Sequence, residues 1–266
     1  KRPKAAPAEL TLGTWNVNSV RVRLEHLLRV LVEWRPDVLC LQETKVSDEQ
    51  FPLQPVEALG YRVVLSGQKT YNGVAILARH PLEDVRRGFD GSDGEEQKRL
   101  LAGTVRGIRV VNAYIPNGGA VGSDKFADKL RFLEDLRAYF DRFHQPREQA
   151  VLVGDFNVAP APEDVWDPAA LDGSTCYHPD ERARLEALRA WGFADQFRRF
   201  CQGPGHYSWW DYREGAWPRN AGLRLAHLRA SPALDAKATA CLIERDERGR
   251  DKASDHVPVI AAYAVD

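Results

Sequence analysis

The 266-residue sequence predicts an α/β fold, a layered α/β sandwich in which two mixed β-sheets pack face to face and are flanked by helices. Three observations point there. Strand-like apolar runs interleave with stretches of helical periodicity. Hairpin-like spacing near residues 60 to 115 departs from strict βαβ alternation. Hydrophobic residues make up 44% of the chain and charged residues 28%, ordinary values for a folded domain with a sizeable core.

Leu10 to Asn16 places Leu10, Leu12 and Thr14 on one face, a half-buried strand that delivers Asn16 at its end. Ser19 offers an N-cap, and Val20, Leu24, Leu27, Leu28 and Leu31 recur at helical spacing until Arg35-Pro36 stops the helix. Asp37 to Gln42 is a buried strand ending at Glu43. Gly73 to Ala78 and Gly107 to Ile115 read as strands, the second closing at Tyr114 and the Pro116-Asn117-Gly118-Gly119 turn. A helix from about 124 to 143 turns Phe126, Leu130, Leu133, Leu136 and Phe140 inward. Val151-Leu152-Val153 is a buried strand, and after the Pro-rich loop at 159–162 Asp180 caps a helix that ends near Trp191-Gly192. Aromatic loop and strand follow at Tyr207 to Tyr212, Leu223 to Leu228 and Val257 to Tyr263.

Length and the lack of a linker composition predict a single unit over residues 10–266, preceded by a loose basic tail at 1–9. The sequence holds no Met, so its first residue is read as not being the translation start. Cys40, Cys176, Cys201 and Cys241 lie far apart without paired spacing, which implies neither a disulfide scaffold nor a zinc site and suits a reducing cytoplasm. No apolar run approaches the roughly 18 residues of a membrane span, so no membrane partner is expected. Net charge is -1, so any affinity for phosphates must come from a local positive face, for which Arg79-His80, Arg86-Arg87, Lys98-Arg99, Arg219 and Arg224 are the candidates.

Four motifs end apolar runs with oxygen or imidazole groups: Thr14-Trp15-Asn16, Leu41-Gln42-Glu43, Gly154-Asp155-Phe156-Asn157 and Ser254-Asp255-His256. Converging on one site, they supply what a magnesium-dependent phosphodiesterase needs, because magnesium takes oxygen ligands and keeps several waters. Glu43 is the foremost ligand candidate, since a carboxylate at the end of a buried strand is costly without a compensating cation. Asp155, its pKa raised by neighbouring carboxylates, suits the activation of water, and Asn157, two residues on, suits a phosphate oxygen. Protonated His256 can stabilise charge on a phosphate, with Asp255 holding a metal or fixing its loop. Tyr114 offers a phenolic donor or phenolate.

Over nearly its whole length, from Thr14-Trp15-Asn16-Val17-Asn18 through Leu41-Gln42-Glu43-Thr44-Lys45, Asn112-Ala113-Tyr114-Ile115-Pro116-Asn117-Gly118 and Gly154-Asp155-Phe156-Asn157-Val158-Ala159-Pro160 to Ser254-Asp255-His256, the chain resembles the exonuclease III type of abasic-site endonuclease. That type lies within the endonuclease/exonuclease/phosphatase superfamily. Tyr207-Ser208-Trp209-Trp210-Asp211-Tyr212 and Arg219-Asn220-Ala221-Gly222-Leu223-Arg224 look like its DNA-repair branch rather than its lipid or inositol phosphatases. The resemblance implies Glu43, Asn16 and Asp255 at the metal, which is Mg2+ with Mn2+ as the alternative. It implies Tyr114, Asp155, Asn157 and His256 as the catalytic set. A DNA contact at Asn117, Arg219 in the DNA-binding segment, and a pocket for a base-free sugar lined by Trp209, Leu223 and Leu225 follow from the same likeness. The implied reaction is hydrolysis of the phosphodiester 5′ to an abasic site in double-stranded DNA, with 3′ to 5′ exonuclease and 3′-phosphatase activity as variants on 3′ ends. A monomer in the cytoplasm, associated with the nucleoid, is expected.

One position departs from the pattern. Where the family has Gly, aromatic or Leu, Arg, apolar, Asp, this chain reads Gly222-Leu223-Arg224-Leu225-Ala226. The missing Asp is the one that would orient His256, and the adjacent His227 faces the other way on a strand. A weakened His256 with an intact metal site is therefore expected. The rival reading is a catalytically silent nucleic-acid-binding regulator on the same fold.

Overall fold

The computed structural model describes residues 8–91 and 97–265. The chain opens with β1 (Ala8–Asn16), α1 (Leu24–Glu33), β2 (Val38–Gln42), α2 (Leu53–Glu57), β3 (Arg62–Ser66) and β4 (Val74–Ala78). Next come β5 (Glu83–Arg87), β6 (Leu100–Val105), β7 (Ile108–Tyr114), α3 (Asp124–Phe143) and β8 (Ala150–Asp155). α4 (Pro168–Leu171), α5 (Pro179–Trp191), β9 (Ala194–Asp195), α6 (Gln196–Phe200), β10 (Trp209–Trp210) and β11 (Gly222–Leu223) follow. β12 (Ala226–Ala230), α7 (Pro232–Asp235), β13 (Ala238–Ile243) and β14 (Val259–Val265) complete it.

Two six-stranded sheets form, in the orders β13-β14-β1-β2-β4-β3 and β5-β6-β7-β8-β12-β9. Each has a parallel pair at its centre, β1 with β2 and β7 with β8, and antiparallel pairs outside it. A parallel pair needs a crossover, and α1 and α3 supply the two. Leu10, Leu12, Val38 and Ile76 of the first sheet share one core with Val110, Val151, Val153 and Leu228 of the second, so the sheets pack face to face. Outside the first sheet, Trp15, Leu39 and Leu41 pack with Leu27, Val30 and Leu31 of α1. Outside the second, Val111 and Leu152 pack with Leu133, Leu136 and Phe140 of α3 and Leu185 and Leu188 of α5. This is the mixed, helix-flanked sandwich the sequence predicts.

Several local expectations change. β1 is more than half-buried, because the second sheet covers one face and α1 the other: Leu12 to Asn16 are all buried, and Thr11 before them is intermediate. Ala8 and Glu9, assigned to the tail, pair with Val265 and Ala264, and residues 1–7 fall outside the described residues. After Ser19 the chain makes turns before α1 starts at Leu24, with Arg23 at the N-cap. The cap of α5 is His178, not Asp180: its Nδ1 accepts from the Asp180 N–H, while Glu181 reaches back to the His178 N–H. Pro179 at the first helical position moves the boundary upstream. On α3 the buried stripe runs through Phe126, Lys129, Leu133, Leu136 and Phe140, and Leu130 is only half-buried. In the aromatic loop and strand expected at Tyr207 to Tyr212, the strand is the two residues of β10.

Candidate active site

β1, β2, β7 and β8 end together, and their last residues or the next ones are Asn16, Glu43, Tyr114 and Asp155. A polar bolt between the sheets sits just below. Gln42 Nε2 donates to Thr14 Oγ1 at 2.9 Å and to Asn112 Oδ1 at 2.8 Å, and Asn112 Nδ2 donates to the carbonyls of Leu41 and Ala75. Glu43 has φ of 52°, a left-handed turn that ends the strand and carries modest strain. At Gly154, with φ of 146°, a Cβ would lie 1.8 Å from the Ala113 carbonyl oxygen, so only glycine lets β8 deliver Asp155 this close to β7.

One amide joins the two carboxylates: Asn16 Nδ2 donates to Glu43 Oε2 at 2.5 Å and to Asp155 Oδ2 at 2.9 Å. His256 Nε2 lies 3.5 Å from the same Asp155 oxygen. Its loop is tied to β1, because Trp15 Nε1 donates to the His256 carbonyl and Ser254 Oγ to the Asn16 carbonyl. Ligand-type atoms of Glu43, Asp155 and His256 thus all lie within 4.8 Å of one another. Asp255 stands beside this triangle. Its Oδ2 accepts from Trp209 Nε1 at 3.1 Å, while its buried Oδ1 has no hydrogen-bond partner among the described residues.

The donor set fits a hard divalent cation: oxygens predominate, two carboxylates share one amide, and an orphaned carboxylate oxygen borders the cleft. Glu43 also meets Lys45, whose Nζ is 3.6 Å from Oε1, but at 19% exposure it is not the solvated ion pair that a surface strand end would make. Burial is the largest cause of the raised Asp155 pKa, with Glu43 adding to it and His256 and Asn16 opposing. Burial therefore outweighs the neighbouring carboxylate that the sequence suggested. The Tyr114 hydroxyl is pushed well above its usual range by burial and then by Glu43 and Asp155, which makes it a phenol donor rather than a phenolate.

Asp155 and Asn157 do not share a strand face. Asn157 turns at φ of 51°, its N–H donates to Asp155 Oδ1 at 3.0 Å, and its Nδ2 donates to the Ile115 carbonyl at 2.9 Å. The turn serves the site all the same, since both side chains line one cleft of about 500 Å³. Glu43, Tyr114, Asn117, Trp209, Arg219, Leu223, Leu225, Asp255 and His256 line it too. Asn16 lies beneath it, 1% exposed. Leu223 and Leu225 pack with Cys176, Val165 and Trp209 into an apolar wall, and Arg219 stacks 5.4 Å over Trp166 at the rim.

Ala226 pairs in register with Asp155, so its side chain points to the same face of the sheet. Correspondingly, His256 Nδ1 is buried without a partner among the described residues. His227 is turned away, its Nε2 bonded to the Val158 carbonyl at 2.8 Å and its ring against Phe156. Arg224 is no part of a positive face: it is 1% exposed and held by Asp164 at 2.7 Å and Asp195 at 2.6 Å. Arg79 and His80 likewise face Asp37. The sequence does not point to cleft residues such as Trp166, Thr175 and Arg213, because each comes from a loop without periodic signal.

Residues 13–256 match the Endonuclease/Exonuclease/phosphatase family. Exodeoxyribonuclease III of Haemophilus influenzae is 32% identical over 265 residues, covering 94% of this chain and 98% of that protein. The exodeoxyribonuclease of Bacillus subtilis is 31% identical over 255 residues, with the same coverage of 94% and 98%. An AP endonuclease structure from Archaeoglobus fulgidus superposes with a TM-score of 0.92 at 39% identity, covering 96% of this chain and all of that one. The 3′ phosphatase NExo from Neisseria, bound to a product DNA hairpin, gives 0.89 at 37% identity, covering 96% and 99%.

Proposed function

This chain belongs to the endonuclease/exonuclease/phosphatase family, and from that membership we propose that it is a DNA-repair nuclease that incises double-stranded DNA on the 5′ side of an abasic site. Removal of nucleotides or phosphate from 3′ ends is the same chemistry on another substrate. The observation that carries the reading is the triangle of half-buried Glu43 with buried Asp155 and His256 in a cleft with an apolar wall.

Glu43 and Asp255, with Asn16 beside them, would hold a divalent cation, Mg2+ or Mn2+, whose charge offsets that building on the phosphate. Asp155 takes a proton from the attacking water, and its pKa, raised by burial, makes it a stronger base than an ordinary carboxylate. Asn16 fixes one Asp155 oxygen and the Asn157 N–H the other, so the carboxylate cannot swing away. His256 and Asn157 bind phosphate oxygens, and the Tyr114 phenol donates alongside them. Trp209, Leu223 and Leu225 accept an extruded sugar that lacks its base, which an intact nucleotide is too bulky to enter. Asn117 and Arg219 contact the DNA at the rim.

The second reading, a silent DNA-binding regulator, draws on Ala226 and on a His256 Nδ1 without a hydrogen-bond partner among the described residues. One assay separates the two. A labelled duplex with a single abasic-site analogue is incubated with the protein and magnesium, then with EDTA. Metal-dependent incision 5′ to the lesion supports the nuclease. Binding without cutting, unchanged in Ala226→Asp, supports the regulator.

A further inference from the structure

We propose that Lys129, buried on α3 and outside every motif of the site, is a positioning residue that sets two walls of the cleft at once. Its ammonium group is fully buried, and it donates to the Asn157 carbonyl at 2.7 Å and to the Asn117 carbonyl at 3.0 Å. Its third partner is the equally buried carboxylate of Glu181 at the start of α5. An ammonium has three protons, and three oxygens surround this one, two carbonyls as hydrogen-bond acceptors and the carboxylate as an ion pair. Two of those acceptors are the main-chain oxygens of cleft residues from separate loops, 28 and 12 positions away.

Both loops need holding. Asn157 sits at φ of 51°, and Gly118, next to Asn117, sits at φ of 93° with room for no Cβ, since one would come 2.9 Å from Lys129 Cδ. The lysine stem thus fills the turn while its head grips the carbonyls on either side. Glu181 in turn closes the α5 capping box through the His178 N–H, so the counter-ion is itself fixed. For stability alone, a buried ion pair is often no better than well-packed apolar groups. What an apolar pair cannot do is direct two carbonyls, and through them the Asn117 and Asn157 side chains.

The inference rests on the nuclease reading, because it gives those side chains a substrate to meet. Its test is the paired replacement Lys129→Met with Glu181→Leu, which removes both charges together, measured by thermal melting and by single-turnover incision of an abasic duplex. Cooperative melting with incision slowed about 10- to 100-fold, in the range of residues that orient active-site groups, is the expected result. Adding Asn157→Ala to that pair should then cost much less than Asn157→Ala costs the wild type, since the side chain is already misplaced. A folded pair that cuts at the wild-type rate, or independent losses that multiply, overturns the proposal. If the pair does not fold, Lys129→Arg carries the test: it keeps the charge but puts a longer, planar guanidinium in place of the compact ammonium, so several-fold slower cutting with unchanged KM is expected and wild-type kcat overturns it. A wild type that cuts no abasic duplex refutes the nuclease reading instead.

Discussion

Ala226 stands directly opposite Asp155 in the β8–β12 ladder, on the same sheet face, and the imidazole of His256 that contacts Asp155 through Nε2 has no hydrogen-bond partner for its Nδ1 among the described residues. A carboxylate at position 226 would stand on that face beside Asp155, which His256 contacts. Ala226→Asp is therefore expected to quicken incision about tenfold or more by orienting the ring and stabilising its charged form. Single-turnover rates at saturating DNA measure this. An unchanged or slower rate in a folded variant would show that His256 needs no carboxylate partner here.

The apolar wall makes a second expectation. Leu223 is 8% exposed and packs beside Leu225 and Trp209 on the cleft. Leu223→Trp fills the space meant for the sugar, so abasic incision should drop at least about tenfold, whereas release of a 3′ phosphate, which needs less of the wall, should drop less. Comparing the two substrates on one preparation decides it. Equal losses on both would argue that the wall only supports the fold.

Much of the site was legible because its residues end apolar strands, where Glu43 and Asp155 stand out as polar groups in costly places. The parallel pairs also follow from strand, helix and strand in order. What was not legible depends on partners far apart in the chain. Lys129 falls in the stripe with Phe126 and Leu133, yet its acceptors lie on two loops and its counter-ion on α5. Arg224 reads as a surface charge until Asp164 and Asp195 close around it, 60 and 29 residues away. Charged Glu83–Arg87 gave no strand signal because β5 is a sheet edge, half open to solvent.

That buried cluster predicts a pH effect on stability. Burial, and then Arg224 and Arg229, hold the His227 pKa well below its usual value, so the folded protein keeps the ring neutral. The unfolded chain binds a proton below about pH 6.5. The stabilising contribution is thus whole above that pH and declines as pH falls toward the depressed folded value. Burial opposes ionisation of Asp195, but Arg224 and Arg229 outweigh it and hold its pKa far below the carboxylate range, so its contribution is lost only in stronger acid. Urea midpoints at pH 7 and pH 5 should differ less in His227→Gln than in the wild type. The same difference in both would remove His227 from the account.

Cation binding should itself be visible as stabilisation. An ion that binds only the folded state at a hundred times its Kd adds about 2.7 kcal/mol. Millimolar magnesium or manganese should therefore raise the melting temperature, and Glu43→Gln should abolish most of the rise. A full rise in Glu43→Gln would place the ion elsewhere.

The most direct measurement is a crystal soaked in manganese and read by anomalous scattering. The account predicts a peak roughly 2 Å from a Glu43 carboxylate oxygen, within reach of Asp255 and facing Asp155 and His256 across the cleft. No peak at Glu43, at a manganese concentration that sustains full incision in solution, would contradict it.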